Sequence, residues 1–509
     1  MSETSSPDQS GNATPAPGLT PEPAAPAKRK PRRIWRFVRR FTVTCLVLLL
    51  VLLAGHWVWG RAAARKLAAA VAEFERAGEP MTAAALESSA VPPADNAALP
   101  LRAAAERIDR NDSAWDEASR LKDLAPPLTE AETAVIRKAL APHDETRAEV
   151  RRARRERRGA DWQVPLRSPL IKMDVPHVAG QRYLALLLSM AALDEHGRGN
   201  DAEAVELVRD VLFVARCNEH LPGLLPHVVA LGIARSASDR AGEIAPELRV
   251  ADGGGPTGRA AAPEQVDALA RELLDDVPIR EGYLRALRVE RVTQLEVARG
   301  IGAGSMPFSA LTFGRDGWWV RPVDGVVNYV AKPTVYDDGR LMLRHTTGVI
   351  EAVRTSRDWQ AAKAKLGDPW DEVQGKWFLH LVASRHMSGY ERTTSVNYQV
   401  IAEARLAAVA LAARRFALDH DGRLPEKLDD LVPKYLPSVP LDSMAAGDTP
   451  LRYVGPAADA ERPRAYSVGL NGRDDGGVEV DGDAPLRERE RTGDFVQHLK
   501  RQPRAEARE

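Results

Sequence analysis

The sequence predicts a mainly α-helical protein: a single transmembrane helix, then an α-hairpin stack, then a small α+β domain at the C-terminus. Three observations predict this order. An uninterrupted apolar stretch occupies residues 41–60. Apolar residues then recur at three- and four-residue spacing over much of 61–390, which is the period of a helix with one buried face. After residue 440 the pattern changes to short apolar runs separated by turn residues, which is typical of strands.

The composition argues against several classes of protein. The 509 residues include 71 Lys and Arg and 71 Asp and Glu, so the chain is not a globally basic nucleic-acid binder. Hydrophobic residues make up 44%, which is enough for buried cores and too little for a protein with many membrane spans. The two cysteines, Cys45 and Cys217, cannot form a disulfide framework or a thiolate zinc site.

Residues 1–40 and 41–60 predict a membrane anchor. Residues 1–40 read as a disordered tail whose end is basic, with eight Lys and Arg residues between Lys28 and Arg40. Twenty helical residues span about 30 Å, the thickness of a bilayer core. Because positive charge is retained in the cytoplasm, we expect the N-terminus inside and everything after Gly60 outside. The alternative is a cleaved signal peptide, for which Ala62–Ala64 could serve as the small-residue site.

The central part of the chain is predicted to be helical. Residues 61–250 form a helical hairpin domain, whose clearest hairpin joins 181–195 to a helix that begins after Asn200, with Glu203 completing a capping box. The glycine-rich segment 251–262 reads as a flexible linker. Residues 263–390 are predicted to be helical, apart from an irregular aromatic loop at 300–345 that contains Pro322 and Pro333.

An arginine-rich run lies at the end of one predicted helix. Six arginines occupy Arg151–Arg158, with Glu149 and Glu156 interleaved. Such a run can attract anionic lipid or other polyanions. The interleaved glutamates and the balanced charge of the chain favour a solvated helix face instead.

Residues 391–496 predict one long helix, one short helix and a small sheet, followed by a charged tail at 497–509. The apolar face of the long helix ends at Asp419–Gly422, and Pro425 begins the short helix. Segments 451–454 and 465–469 read as strands, and Asn471-Gly472 is a strong turn pair.

The sequence of this C-terminal region resembles that of the globular domain of the major pseudopilin of type II secretion systems. The motifs that carry the resemblance are Phe416-Ala-Leu-Asp-His-Asp-Gly-Arg-Leu-Pro425, Leu428-Asp-Asp-Leu-Val432, Pro440-Leu-Asp442, Pro450-Leu-Arg-Tyr453 and Tyr466-Ser-Val-Gly-Leu-Asn-Gly472. They cover about one fifth of the chain, and a similar end occurs in many membrane-anchored bacterial proteins. The N-terminus departs from the family, because Arg40 precedes Phe41-Thr42 and Cys45 replaces the family's glutamate. We therefore expect a pseudopilin-like module and not a filament subunit.

The resemblance implies a calcium site. The family's acidic loop commonly binds calcium, which prefers carboxylate and carbonyl oxygens. Carried over by position, the ligands are Asn471, Asp474, Asp475 and Asp494, and Asp481 and Asp483 offer competing carboxylates. The alternative is an acidic, solvated turn.

Two functions fit these observations. The first is a membrane-anchored periplasmic binding or scaffold protein of the bacterial envelope, without catalysis. Its partners would be the lipid bilayer and an unidentified protein, with type II secretion or pilus-like machinery as the association that the resemblance implies, and no nucleic acid. The alternative is a membrane-anchored hydrolase with a site near the aromatic segment 300–345, where Trp318, Trp319 and Tyr336 could line a pocket.

Overall fold

A computed structural model describes residues 31–87, 90–121, 124–255, 258–308, 321–367, 380, 383, 389–479 and 493–502. Two compact units divide the chain, Met1–Trp59 and Gly60–Glu509. The fold is mainly helical, as predicted. Its helices are α1 (Pro31–Arg76), α2 (Ala98–Glu106), α3 (Ser113–Ser119), α4 (Glu130–Leu140), α5 (Asp144–Glu156), α6 (His177–Gly197), α7 (Asp201–Asn218), α8 (Leu224–Ile244), α9 (Pro263–Leu274), α10 (Val277–Ala303), α11 (Arg321–Thr355), α12 (Trp359–Leu366) and α13 (Tyr390–Asp419).

Helix α1 carries the predicted transmembrane stretch. Within the described part of the chain, it is the one helix that is long and apolar enough to cross a membrane, and none of its most apolar window is buried. Leu46, Leu49 and Leu50 are each more than half exposed. A row of exposed leucines is unfavourable in water, and a membrane anchor or a signal sequence would place such a row in lipid.

The last turns of α1 belong to the second unit and pack there. Leu67 and Val71 are buried against Met81, with Leu295 of α10 and Leu343 of α11 in the same apolar cluster. The spacing of four residues puts Leu67 and Val71 on one face of the helix. This face of α1 is therefore covered by other parts of the protein, whereas the leucines at residues 46–50 are exposed.

Helices α6, α7 and α8 follow one another and pack together around the largest apolar core. The face predicted for α7 is correct, since Val205, Val208 and Leu212 are buried. The predicted capping box at Asn200 is wrong, because its side chain caps no helix. Asn200 Nδ2 instead donates to Glu195 Oε2 at 2.7 Å, which ties the turn to the end of α6.

The arginine-rich run on α5 is only partly a solvated face. Arg151 Nε and Arg154 Nε each donate to the fully buried carboxylate of Asp210 on α7, both at 2.6 Å. Arg151 also pairs with Glu203, and Arg154 pairs with Glu206. The prediction failed for these two arginines because it considered charge along α5 alone, whereas their carboxylate partners lie more than fifty residues later.

The predicted irregular loop at 300–345 is wrong for residues 300–303 and 321–345, whereas residues 304–308 are irregular as predicted. Helix α10 continues to Ala303, and α11 begins at Arg321 and continues through Pro333. Proline disfavours a helix interior, but α11 packs along α10 and buries Val335, Leu341 and Met342. We attribute the helix at Pro333 to this packing, and Pro322 lies in the first turn, where proline is tolerated.

The C-terminal region follows the predicted order of elements. Helix α13 ends at Asp419 as predicted, and a short 3₁₀ turn at Leu428–Leu431 replaces the predicted short helix. A three-stranded antiparallel sheet follows, β1 (Arg452–Val454), β2 (Arg464–Ser467) and β3 (Phe495–His498), with β2 in the centre. Tyr453 pairs with Ala465, and Ala465 pairs with Gln497.

The largest core crosses the predicted domain boundaries. Val400, Ala407 and Leu411 of α13 share it with residues of α6 to α9. At the predicted linker, Ala251 N donates to Ala261 O at 3.0 Å, so the two ends of 251–262 lie side by side. The division of residues 61–496 into domains stays a prediction.

Candidate functional site

The structure brings together three of the four predicted calcium ligands. Asp475 Oδ2 accepts hydrogen bonds from Asn471 Nδ2 at 2.9 Å and from the backbone N–H of Gly493 at 2.8 Å. Asp494 Oδ2 accepts from the N–H of Gly477 at 2.7 Å, and Asp494 Oδ1 from that of Asp475 at 3.4 Å. Burial raises the pKa of Asp494, and the neighbouring Asp475 carboxylate adds to this effect.

The fourth predicted ligand, Asp474, is engaged elsewhere. Its carboxylate accepts hydrogen bonds from Arg452 Nε at 2.7 Å and from Tyr466 Oη at 3.1 Å. Desolvation opposes ionisation here, but the N–H of Gly476, Tyr466 and Arg452 together lower the pKa of Asp474. Asp474 therefore helps to hold β1 against β2, and a cation would have to compete with Arg452 for it.

The remaining geometry of the acidic loop is that of a hydrogen-bonded turn. Among the described residues, no group of three or more His, Cys, Asp and Glu side chains is arranged to hold a metal ion. Calcium also accepts carbonyl ligands, so the calcium assignment stays a prediction. The competing carboxylates Asp481 and Asp483 lie outside the described residues.

Two aromatic residues in the described part of segment 300–345, Phe308 and Tyr336, pack against other parts of the protein. The ring of Tyr336 lies against Gly302, where an added Cβ would come within 2.5 Å of it. The main-chain N–H of Phe308 donates to Asn328 Oδ1 at 2.9 Å, which ties the segment after α10 to α11. Trp318 and Trp319 lie outside the described residues. Of the three aromatic residues named for the hydrolase alternative, Tyr336 alone is described, and its ring packs against Gly302.

A different site is visible only in three dimensions. Four segments converge on one open cavity of about 630 Å³, which we call the α10 cleft. They are the chain after α1 (78–80 and 85–87), the extended segment 161–166, the turn 220–222 between α7 and α8, and residues Arg285, Arg288 and Val289 of α10. Cavities of this size accommodate small molecules.

Two arginines of α10 give the cleft its chemical character. Arg285 and Arg288 are one turn apart, so they share a face of the helix. Neither guanidinium has a hydrogen-bond or ion-pair partner in the described part of the chain, and Arg285 Nε is buried without one. Arg291, on the next turn, differs: its Nη2 donates to Glu79 Oε2 at 2.7 Å.

The charges of these arginines affect the titration of their neighbours. Desolvation and the nearby Arg288 lower the pKa of Arg285. Desolvation and the charge of Arg285 lower the pKa of His220, which stands exposed in the turn at the cleft wall. At neutral pH, His220 is therefore an uncharged hydrogen-bonding group beside two cations.

The opposite wall is held in a specific conformation. The side chain of Trp162 is buried, and its Nε1 donates to the carbonyl of Cys217 at 2.8 Å. The next residue, Gln163, has a φ of 55°, a left-handed conformation that is uncommon for a residue other than glycine. The N–H of Gln163 donates to Asp161 Oδ1 at 2.8 Å, which fixes this turn.

The sequence contains no motif that marks the α10 cleft. Its residues come from segments that are up to about two hundred positions apart, and α10 looks like an ordinary amphipathic helix. What the arrangement can do chemically is bind an oxyanion, because a guanidinium group matches the geometry of a carboxylate or a phosphate.

Comparison with known proteins finds no matching family model, no matching curated protein and no matching solved structure.

Proposed function

We propose that this chain is a single-pass membrane protein of the bacterial envelope, which presents the residues after Gly60 in the periplasm as a binding domain without catalysis. The observation that carries the proposal is the exposed apolar stretch of α1, none of whose most apolar window is buried. The basic residues that precede it support an orientation with the N-terminus in the cytoplasm. A signal peptidase would cleave at the small residues Ala62–Ala64. Ala63 is buried and lies within the continuous helix α1, which favours a retained anchor.

Extraction of the full chain from membranes tests the anchor. We expect the chain to stay in the membrane pellet at alkaline pH and to be released by detergent. Arginine at Leu46, Leu49 and Leu50 should release it, since each charge costs about 3 kcal/mol in a bilayer core. The control places arginine at the exposed residues Ala457, Ala458 and Ala460 and should stay in the pellet.

The mass of the membrane-bound chain separates an anchor from a signal sequence. An uncleaved anchor gives the full 55.6 kDa. A product that begins near Ala64 would contradict the anchor.

Labelling of introduced cysteines tests the orientation. A membrane-impermeant maleimide should modify Ala458→Cys when only the outer membrane is opened, and Ser10→Cys only after the inner membrane is broken. The parent chain gives the background from Cys45 and the buried Cys217. The reverse labelling pattern would contradict a periplasmic domain.

In this proposal, residues 391–496 are a pseudopilin-like module. The order of the long α13, the short 3₁₀ turn and the antiparallel strands supports it. The association that the resemblance implies is with type II secretion or pilus-like machinery. A photo-crosslinking residue at the exposed Val478 should form an adduct with an inner-membrane subunit of such machinery in cells. Adducts with the chain itself alone would contradict this association.

The calcium site of this module is tested on the full chain. A ligand that binds only the folded state stabilises it by about 2.7 kcal/mol at a hundredfold excess over its dissociation constant. We expect a higher melting temperature in millimolar calcium than in chelator, and no such difference in Asp475→Ala or Asp494→Ala. Asp448→Ala, an exposed carboxylate on another loop, should keep it. An unchanged melting temperature in the parent chain would remove calcium from the proposal.

A further inference from the structure

We propose that the α10 cleft binds a small organic anion, whose carboxylate or phosphate group is held by Arg285 and Arg288. The inference goes beyond the proposed function, because it names a ligand class and holds whether or not α1 is an anchor. It rests on the contrast between these two arginines and the other arginines around them.

Several other arginines that lie half-buried in the described part of the chain face carboxylates. Arg151 and Arg154 converge on Asp210, and Arg209 Nη2 lies 2.7 Å from Glu272. Arg291 of α10 pairs with Glu79. Desolvating a cation without such a partner is unfavourable, and two like charges one turn apart on a helix repel each other. Arg285 and Arg288 keep this unfavourable arrangement, and an oxyanion in the cleft would compensate both charges.

The carboxylates near the cleft do not supply this compensation. Glu79 is engaged by Arg291 at 2.7 Å and by Arg354 at 3.5 Å. Asp161 accepts the N–H of Gln163. Glu87 is exposed, and Glu219, behind Arg285, accepts from or shares a proton with His227 Nδ1 at 2.6 Å. None of these four lies within ion-pair distance of Arg285 or Arg288. From farther away, Glu219 and the exposed Glu281 of α10 attract Arg285, and Glu79 attracts Arg288.

The rest of the cleft defines the ligand further. Leu86, Val164 and Leu166 line the cavity, are half-buried and give apolar contact area beside the two guanidinium groups. The imidazole of His220 is a neutral donor or acceptor. A bare inorganic ion would leave most of the 630 Å³ unfilled. The chemistry therefore fits an anion with an apolar body, either a carboxylate or a phosphate ester.

Calorimetric titration of the detergent-solubilised full chain tests the proposal. The probes are phenylacetate and phenyl phosphate, which share an aromatic body, and phenylacetamide, which has the same body without the charge. We expect saturable binding of at least one anion and at least tenfold weaker binding of phenylacetamide. The anion that binds more tightly shows whether the cleft prefers a carboxylate or a phosphate ester. Binding should weaken as salt increases, because part of the attraction is between charges.

Substitutions locate the site. Arg285→Gln and Arg288→Gln should each weaken anion binding at least tenfold, while Arg299→Gln, an exposed arginine of the same helix outside the cleft, should not change it. Loss of folding cannot explain such a result if the variants melt normally, and we expect Arg288→Gln to melt no lower than the parent because it removes a repulsion. The proposal is overturned if neither anion binds, if phenylacetamide binds as well as the anions, or if both cleft variants keep the parent affinity.

Discussion

Asp210 is the residue on which the contact between α5 and α7 depends. Its side chain is fully buried, and the Nε atoms of Arg151 and Arg154 both lie 2.6 Å from it. Although desolvation works against a buried cation, Asp210 and Glu203 raise the pKa of Arg151. The three groups therefore form one buried cluster, in which Asp210 is the carboxylate that both arginines share.

Replacing Asp210 by Asn should strongly destabilise the protein. The substitution leaves two buried guanidinium groups without their shared carboxylate, and breaking a buried pair in this way costs about 3–5 kcal/mol. Chemical denaturation of the full chain measures the loss. Asp116→Asn breaks an exposed pair with Arg120 and should cost less than about 1 kcal/mol. Equal effects of the two substitutions would show that the cluster contributes no more than a surface pair.

Glu243 predicts a dependence of stability on pH. Burial, followed by the negative charge of Asp239, raises the pKa of Glu243 to about 8, despite the attraction of Arg240. The folded state therefore holds a proton that the unfolded state releases near pH 4.5. The contribution of Glu243 to stability is fully present below that pH and is lost as the pH rises towards 8. Glu243→Gln should melt higher than the parent at pH 8 and equally at pH 4.5. A constant difference between the two chains across this range would contradict the raised pKa.

At the scale of elements, the close approach of α10 and α11 depends on glycine. A Cβ at Gly339 of α11 would lie 2.6 Å from the Cβ of Ala298 on α10, and it would also contact Leu67 of α1. Gly348, on the same helix, has nothing within 4 Å of such a Cβ. The two glycines therefore differ in packing while sharing a helical backbone.

Alanine at these two positions should have opposite effects. Gly348→Ala should stabilise the protein by about 0.5–1 kcal/mol, the usual gain of helix propensity. Gly339→Ala gains the same propensity but must separate α10 from α11, so we expect a net loss of about 1–3 kcal/mol. Denaturant titrations of both variants give the comparison. A gain at both positions would mean that α10 and α11 are less closely packed than described.

Elements with a regular pattern were predictable from the sequence, and elements defined by their neighbours were not. The hairpin of α6 and α7 followed from two apolar periodicities and the turn at 198–200. Helix α11 was missed because Pro322, Pro333 and the glycines indicate a loop locally, whereas packing against α10 favours a helix. The order of elements after residue 390 was predictable, because turn residues separate them clearly.

The predicted and the observed sites differ for a related reason. Asn471, Asp475 and Asp494 could be grouped from the resemblance, since a hairpin brings both ends of the loop together. The diversion of Asp474 to Arg452 depends on strand register, which the sequence did not specify. The α10 cleft could not be predicted at all. Whether an arginine has a carboxylate partner depends on the tertiary structure, which the sequence does not show.

At the scale of the whole molecule, one core joins parts of the chain that look separate in sequence. Helix α13 packs against α8 and α9, and its residues Val400, Ala404 and Leu411 contribute to the same apolar cluster as Leu231 and Leu269. The face of α13 towards the sheet carries a second cluster, in which Leu406 and Val409 meet Leu431 and Ala465. Helix α13 is thus apolar on two sides, which is why its buried residues show no single stripe.

This arrangement predicts that residues 391–509 do not fold stably without the rest of the chain. Separation would expose the α8 and α9 face of α13, and each large apolar side chain moved into water costs about 1.5–3 kcal/mol, whereas a small domain has only about 5–15 kcal/mol of stability. We expect the fragment to bind a hydrophobic dye and to melt without a cooperative transition. Co-expression with residues 61–390 should restore a cooperative melt and remove the dye binding. A fragment that melts cooperatively on its own would instead establish residues 391–509 as an independent domain, and α13 would then need a second partner for its exposed face.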